Sequence, residues 1–424
     1  MKSTWWSAGI SGHLRATSSS GPVTVLMVGI GGYGYFYLQT LFELIRANQI
    51  TLGGVIDPLA RRSAHYPLLL QERIPVFEEI AEYFRAGHRA DLVVIASPLQ
   101  YHVDQSCVAL NQGAHVLCDK PVAPVVQEAD WLIHTARVAA SWCMIGYQWS
   151  YSRAIQELKR DIQKGLFGKA RRLKTLIFWP RDDAYYHRND WAGKIKDADG
   201  RWVLDSPASN AMAHFLHNLF YLLGGEAASS ARPADAVAEL YRVNPIENFD
   251  TAICRAHTEC GVELLFYASH ATQSEQDPVF HLEFEDAEVS FNETTPGITV
   301  RTHDGKVSSY GSPDDDPQFK KLLDAVNAVH TPQAPLCGPE AARAQCVCVN
   351  GMQESVETIG SFPPSIIGRD EKRGRWWVNG LDDVLRECYR QNALPSEIGI
   401  PWAKRGATVD LRHYVRYPSY SRNW

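Results

Sequence analysis

The stretch Val23-Thr24-Val25-Leu26-Met27-Val28-Gly29-Ile30-Gly31-Gly32-Tyr33-Gly34 decides the fold. Its first six residues form a short apolar run, which reads as a buried strand. The run ends in a G-x-G-x-x-G, and an apolar-periodic segment over 35–47 follows as a helix. In that strand–turn–helix setting Gly29 allows the tight turn, Gly31 lets the backbone approach a pyrophosphate, and Gly34 lets helix and strand pack closely. Ile30, Gly32 and Tyr33 complete a loop whose N–H groups, with the positive end of the helix, suit phosphate oxygens.

Outward from this loop the alternation continues. Apolar runs at 52–56, 74–77, 92–96, 115–118 and 142–147 read as strands, and periodic segments at 78–86, 101–111 and 125–140 as helices. Strand alternating with helix at this spacing means a parallel sheet. The segment 21–148 is therefore expected to be a Rossmann domain, preceded by a Ser-rich flexible leader over 1–20. Asp57 ends the second strand roughly 20 residues past the last glycine, where a carboxylate accepts hydrogen bonds from the adenosine ribose and repels a 2′-phosphate. NAD is thus favoured over NADP, although Arg61 and Arg62 follow closely. Ser97 and Pro98 end the fourth strand, on the edge where open α/β sheets take ligands.

Past Gln148 the pattern changes. A helix at 154–164 and a strand at 170–179 lead into a polar, aromatic-rich loop over 181–204. An apolar helix over 208–223 comes next, then successive strands at 236–243, 251–257, 262–267, 279–284 and 289–292. This predicts an α+β domain over 149–424 with a large, mainly antiparallel open sheet, helices at 318–329, 340–359 and 381–391, and a tail after 395 without clear period. The fold class is α/β for the first domain and α+β for the second. An apolar sheet face left uncovered would call for a second copy of the chain.

The 424 residues carry a net charge of −6. That gives no electrostatic case for nucleic acid or an anionic membrane surface, and no apolar run is long enough to span a bilayer. The nine cysteines are scattered, as expected for reduced thiols in the cytoplasm rather than a disulfide framework. Cys346 and Cys348 lack a second pair nearby, and no metal site is expected.

Four features resemble the Gfo/Idh/MocA oxidoreductases: the glycine loop, Ser97-Pro98 with Tyr101-His102, Asp119-Lys120-Pro121, and Gly146-Tyr147-Gln148. The resemblance implies NAD(P)-dependent chemistry on sugars, inositols and related polyols, in a homodimer or homotetramer. It places Ser97, Pro98, His102, Asp119 and Gln148 at the cofactor and Lys120 beside the reacting carbon. There an ammonium stabilises a developing alkoxide. Asp119 stands where the family usually has Glu. The family's Asp-x-x-x-His reads here Asn210-Ala211-Met212-Ala213-His214, after Asp205-Ser206-Pro207. If the helix runs through all of it, Asn210, His214 and His217 share one face. His214 is the candidate general base, since imidazole titrates near neutrality. An amide at 210 orients a histidine but supplies no charge, which Asp205 or Asp190 would have to bring. His217 is set among the substrate-binding candidates or in a structural role behind them. Tyr147, Tyr186, Arg188, Trp191 and Lys194 complete the substrate candidates, because aromatic faces and planar polar groups suit sugar rings. The alternatives are an NAD-dependent glycoside-cleaving enzyme that oxidises the ring transiently, and a non-catalytic nucleotide or sugar sensor.

Overall fold

The computed structural model describes residues 21–292, 295, 297–331 and 335–419. The leader at 1–20 lies outside the described residues. The chain divides into two compact units. The first comprises the described residues up to Ala123, Asp130–Arg153 and Asp314–Pro339; the second comprises Pro124–Ala129, Ala154–Pro313 and the chain from Glu340 on.

In the first unit six strands form one sheet, β1 (Val23–Val28), β2 (Ile50–Ile56), β3 (Val76–Phe77), β4 (Leu92–Ile95), β5 (His115–Cys118) and β6 (Cys143–Ile145), in the order β3-β2-β1-β4-β5-β6. All neighbours run parallel. This is the doubly wound dinucleotide-binding order. β4 is buried at every position, because helices cover both faces of such a sheet and leave no polar alternation to read. The loop after β1 is sterically specified. Gly29 sits at φ +79°, and a Cβ there would lie 2.6 Å from the Ser97 nitrogen. A Cβ on Gly34 would lie 2.1 Å from the Gly29 carbonyl oxygen.

The domain boundary expected at 148 is not a single cut, because the chain returns to the first unit at 314–339. Hydrogen bonds hold the return: Ile145 N–H donates to Cys337 O at 2.8 Å, Arg153 N–H to Asp316 Oδ2 at 2.7 Å, and Trp149 Nε1–H to Asp314 Oδ1 at 2.9 Å.

The second unit is built on a ten-stranded sheet. Its strands are β7 (Ala170–Phe178), β8 (Pro233–Arg242), β9 (Thr251–Thr258), β10 (Glu263–Ser269), β11 (Gln276–Phe284), β12 (Ala287–Phe291), β13 (Ile298–Thr302), β14 (Val307–Gly311), β15 (Gly360–Ser361) and, pairing with β8, β18 (Val409–Asp410). The main order is β14-β13-β12-β11-β7-β10-β9-β8-β15. Only β7–β10 and β8–β15 pair in parallel among the described strands of this sheet, so it is mixed and mostly antiparallel. A separate hairpin joins β16 (Ile367–Asp370) and β17 (Arg375–Val378). Strands β13 and β14 escape the hydrophobic pattern because β14 is an edge strand of exposed and half-buried residues.

An uncovered apolar face was the physical ground for expecting a second copy of the chain. Over β7–β10 that ground is absent. Leu176, Phe178, Val237, Ile253, Leu265 and Tyr267 pack against Leu381, Leu385 and Cys388 of the chain's own helix Leu381–Gln391. The opposite face is covered too, which is why β8 and β10 are buried at nearly every position.

Candidate functional site

The candidate cofactor site lies in the first unit. Cβ atoms added at Gly31 and Gly32 would meet nothing within 4 Å, so open space faces the loop where phosphates would approach the backbone. The described residues therefore fit a dinucleotide. Asp57 is at the end of β2, as expected, but it has a structural task as well: Oδ2 accepts from Ile30 N–H at 2.9 Å and Oδ1 from Leu59 N–H at 2.7 Å. An ionised carboxylate has about four lone-pair sites, so both oxygens retain capacity for ribose hydroxyls. Arg61 and Arg62 are exposed on the turn Ala60–Arg62.

His102 has a structural task as well. It is buried, with Nδ1 2.9 Å from Pro121 O and Nε2 3.0 Å from Ser97 O. Burial lowers its pKa. It ties the Ser97 turn to the Lys120-Pro121 turn. Ser97 Oγ–H donates to Gln105 Oε1 at 2.5 Å. Tyr147 is buried as well, and Gln148 opens the turn Gln148–Tyr151.

Asp119 is buried and accepts at Oδ1 from Lys321 Nζ at 2.7 Å and from Tyr37 Oη–H at 3.0 Å. Lys321 also donates to Gly146 O at 3.1 Å and lies 5.1 and 5.0 Å from the Tyr33 and Tyr37 ring centres. Burial works against its charge, but the Asp119 carboxylate outweighs this and raises its pKa. The Lys120 side chain, half-buried, thus projects from a turn held by Asp119 on one side and Pro121 O on the other. Sequence reasoning missed Lys321, because nothing local marks a lysine in an amphipathic helix as the partner of a residue so far back in the chain. Lys321→Met should destabilise the chain by about 3–5 kcal/mol, the cost of leaving a buried carboxylate uncompensated. Urea unfolding measures it, and an unchanged midpoint would refute the pairing.

The catalytic half expected in the second unit starts from a corrected helix. The helix is Ala213–Leu222, with Met212 at its N-cap. Residues 206–212 are turns, pinned by Asn210 N–H to Ser206 O at 3.0 Å and Met212 N–H to Pro207 O at 2.9 Å. Asn210 therefore precedes the helix instead of sharing its face with His214 and His217. Within these turns Ser206 Oγ accepts from Ser209 N–H at 3.2 Å. Asp205 is buried and does something else: Oδ1 accepts from Asn210 Nδ2 at 2.8 Å and Oδ2 from Gly193 N–H at 2.6 Å. A carboxylate accepts only, so the amide is oriented with its oxygen away from Asp205. The charge missing at 210 stands behind it at 205. Asp190 is exposed and has no such link.

His214 is half-buried. His217, counted among the substrate candidates, is 1% exposed and stacks on Tyr221 at 5.3 Å. Burial, with help from the Lys159 charge, lowers its pKa to about 3. The folded chain keeps it neutral, whereas the unfolded chain takes up a proton below 6.5. The stability this contributes is present above that pH and is lost as pH falls toward 3. Urea midpoints should fall through this acid range, and His217→Phe should flatten the slope; an equally steep slope in the variant would refute the assignment.

In the loop, the Arg188 guanidinium lies 3.7 Å from the Tyr185 ring centre and 5.3 Å from that of Trp191. Lys194 pairs with Glu247 at 2.7 Å, both about half-exposed. The Tyr186 hydroxyl is buried without a hydrogen-bond partner, and burial with the nearby Asp250 charge raises its pKa. Trp179 packs edge-on against Phe215, next to His214, at 5.5 Å. No group of three or more His, Cys, Asp or Glu suits a metal among the described residues, and no described helix is long and apolar enough to cross a membrane.

Residues 23–147 match the family model described as Oxidoreductase family, NAD-binding Rossmann fold (GFO_IDH_MocA). A 1-carboxy-3-chloro-3,4-dihydroxycyclohexa-1,5-diene dehydrogenase of Comamonas testosteroni is 26% identical over 157 residues, 36% of this chain and 38% of the relative. The rhizopine catabolism protein MocA of Rhizobium meliloti is 28% identical over 142 residues, 34% of this chain and 43% of the relative. The matches thus span less than half the length of these curated relatives. The WlbA dehydrogenase from Bordetella pertussis, solved in complex with NADH and UDP-GlcNAcA, has the same fold at a TM-score of 0.64 and 18% identity, over 78% of this chain and 95% of that one.

Proposed function

We propose that this chain, whose residues 23–147 match the model of the Gfo/Idh/MocA NAD-binding oxidoreductases, belongs to that family and is a dehydrogenase acting on a CH–OH carbon of a sugar, inositol or related polyol. The observation that carries the reading is the Asp119-Lys120-Pro121 turn. It follows β5, two places from β1 in the sheet, and Lys321 and His102 hold its neighbours fixed. The carboxyl ends of such strands are where ligands bind.

The nicotinamide, when bound, accepts or supplies the hydride. Asp57 is assigned to the adenosine ribose and the loop 29–34 to the pyrophosphate. Lys120 holds the substrate oxygen and stabilises it as charge develops. His214 takes the hydroxyl proton at a ring nitrogen and returns it in the reverse direction. Asn210 and Asp205 are positioning residues for that segment. Tyr186, Arg188 and Trp191 are assigned to the polyol. Lys194 is drawn toward Glu247 and His217 serves the core.

The test is a screen of sugars, inositols and aryl glycosides with NAD and NADP, following both NADH absorbance and product. Oxidation coupled to NAD, with tighter binding of NAD than NADP, is expected. Aryl-glycoside cleavage without net NADH would transfer the site to transient ring oxidation. The absence of both turnover and NAD binding would overturn the proposal.

A further inference from the structure

The second unit carries an open cleft of about 620 Å³ whose charged lining is Arg181, Asp182, Lys372, Arg373 and Arg375, with Tyr185 at its wall. Two separate elements make it, the chain just after β7 and the turn of the β16–β17 hairpin. They are tied by backbone pairing: Asp183 N–H donates to Gly374 O at 2.7 Å, and Asp182 bridges Arg375.

Four cations face one carboxylate in this cleft, and that carboxylate is occupied, since Asp182 Oδ1 accepts from Tyr185 N–H at 2.9 Å. Among the described residues no carboxylate pairs with Arg181, Lys372 or Arg375, and Arg373 reaches Asp370 only at 3.7 Å. The two inner guanidinium groups are held by neutral partners. Arg375 Nη2 donates to Thr272 O at 2.8 Å and Gln273 O at 2.6 Å. Arg181 lies 4.7 Å from the Tyr185 ring centre and 5.9 Å from that of Trp179. In both, Nε is buried and makes no hydrogen bond. Unneutralised like charges with buried donors are costly, and a bound oxyanion relieves both costs at once.

Packing and charge connect the cleft wall to the segment assigned to proton transfer. Trp179, one residue before the lining Pro180, packs on Phe215 beside His214. Tyr185 in the cleft wall is close enough to Asp205 for that charge to act on it.

We propose that the polyol substrate is anionic, and that this cleft holds its oxyanion substituent, a phosphoryl group or a carboxylate, while a hydroxyl is oxidised at His214. The inference rests on the dehydrogenase reading above for the reaction, though not for the binding. Planar guanidinium forks match both kinds of oxyanion, and several cations together favour the more highly charged one.

The experiment uses the full chain and the variant Lys372→Glu/Arg373→Glu, two exposed side chains whose change leaves the fold intact. With NAD present, glucose, glucuronate and glucose 6-phosphate and the matching inositol pair are compared. The anionic member should have a KM about tenfold or more below its neutral counterpart. The double variant should abolish that advantage, leave kcat and the neutral substrate unchanged, and show a weaker salt dependence. A phosphate ester preferred over a carboxylate identifies the phosphoryl source; the reverse identifies a sugar acid. Equal KM values for neutral and anionic substrates, before and after the change, overturn the cleft assignment while the dehydrogenase stands. If no polyol reduces NAD, calorimetry with inorganic phosphate decides the cleft alone: binding that the double variant loses supports it, and absent or unaltered binding overturns it.

Discussion

Lys120→Met is expected to lower turnover by roughly 10² or more, the usual cost of removing a preorganised stabiliser of developing charge. The turn bearing Lys120 is held by contacts that the substitution leaves alone: Asp119 with Lys321 and Tyr37, and Pro121 O with His102. The variant should therefore melt like the wild type and bind NAD with the same affinity, because the pyrophosphate loop lies on β1 and the ribose carboxylate on β2. An interaction made mainly in the transition state lowers kcat and kcat/KM together. His214→Asn should cost roughly 10²–10⁴, the worth of a positioned acid–base group. In the oxidation direction it should also remove the acidic limb of the rate profile, where a base becomes protonated. If the two side chains serve one step, the double variant should fall little further than the worse single one. Full activity of both single variants on an identified substrate would overturn the assignment.

The first unit was legible because its sheet is parallel. Buried strands of such a sheet are continuous apolar runs, and Gly29 and Gly34, which bound the loop between β1 and its helix, are required by contacts below 3 Å. Tertiary partners were not legible. Lys321 pairs with Asp119 only because the chain returns at 314–339, and the second role of Asp57, accepting the Ile30 N–H, depends on loop geometry. The helix start was misplaced for a different reason. Ala208, Met212 and Phe215 extend the apolar spacing upstream, and Pro207 suits a first turn, yet Ser206 and Ser209 divert local hydrogen bonds into turns. These turns, with Asp205, build a platform for Asn210.

That platform makes the sharper prediction. With Asp205 Oδ1 2.8 Å from Asn210 Nδ2, a second carboxylate at 210 would face the first across a hydrogen-bond distance. Asn210→Asp alone should not restore a family-like site. Two adjacent carboxylates, one buried and one half-buried, cannot both ionise cheaply, so activity should drop about tenfold or more and the acidic limb should move to higher pH. Asp205→Asn alone should also cost about tenfold to a hundredfold. Its amide can accept from Gly193 N–H but then presents NH₂ to the NH₂ of Asn210, and an unmet buried donor costs about 1–3 kcal/mol. The double change Asp205→Asn/Asn210→Asp resolves both conflicts. Asn at 205 accepts from Gly193 N–H through its oxygen and donates through its nitrogen to Asp at 210, so one carboxylate and one amide remain with the hydrogen bond reversed. Activity should return to within a few-fold of wild type, with the pH profile restored. A double variant as poor as the worse single one would show that Asn210 acts through its own amide and not as half of a shared charge.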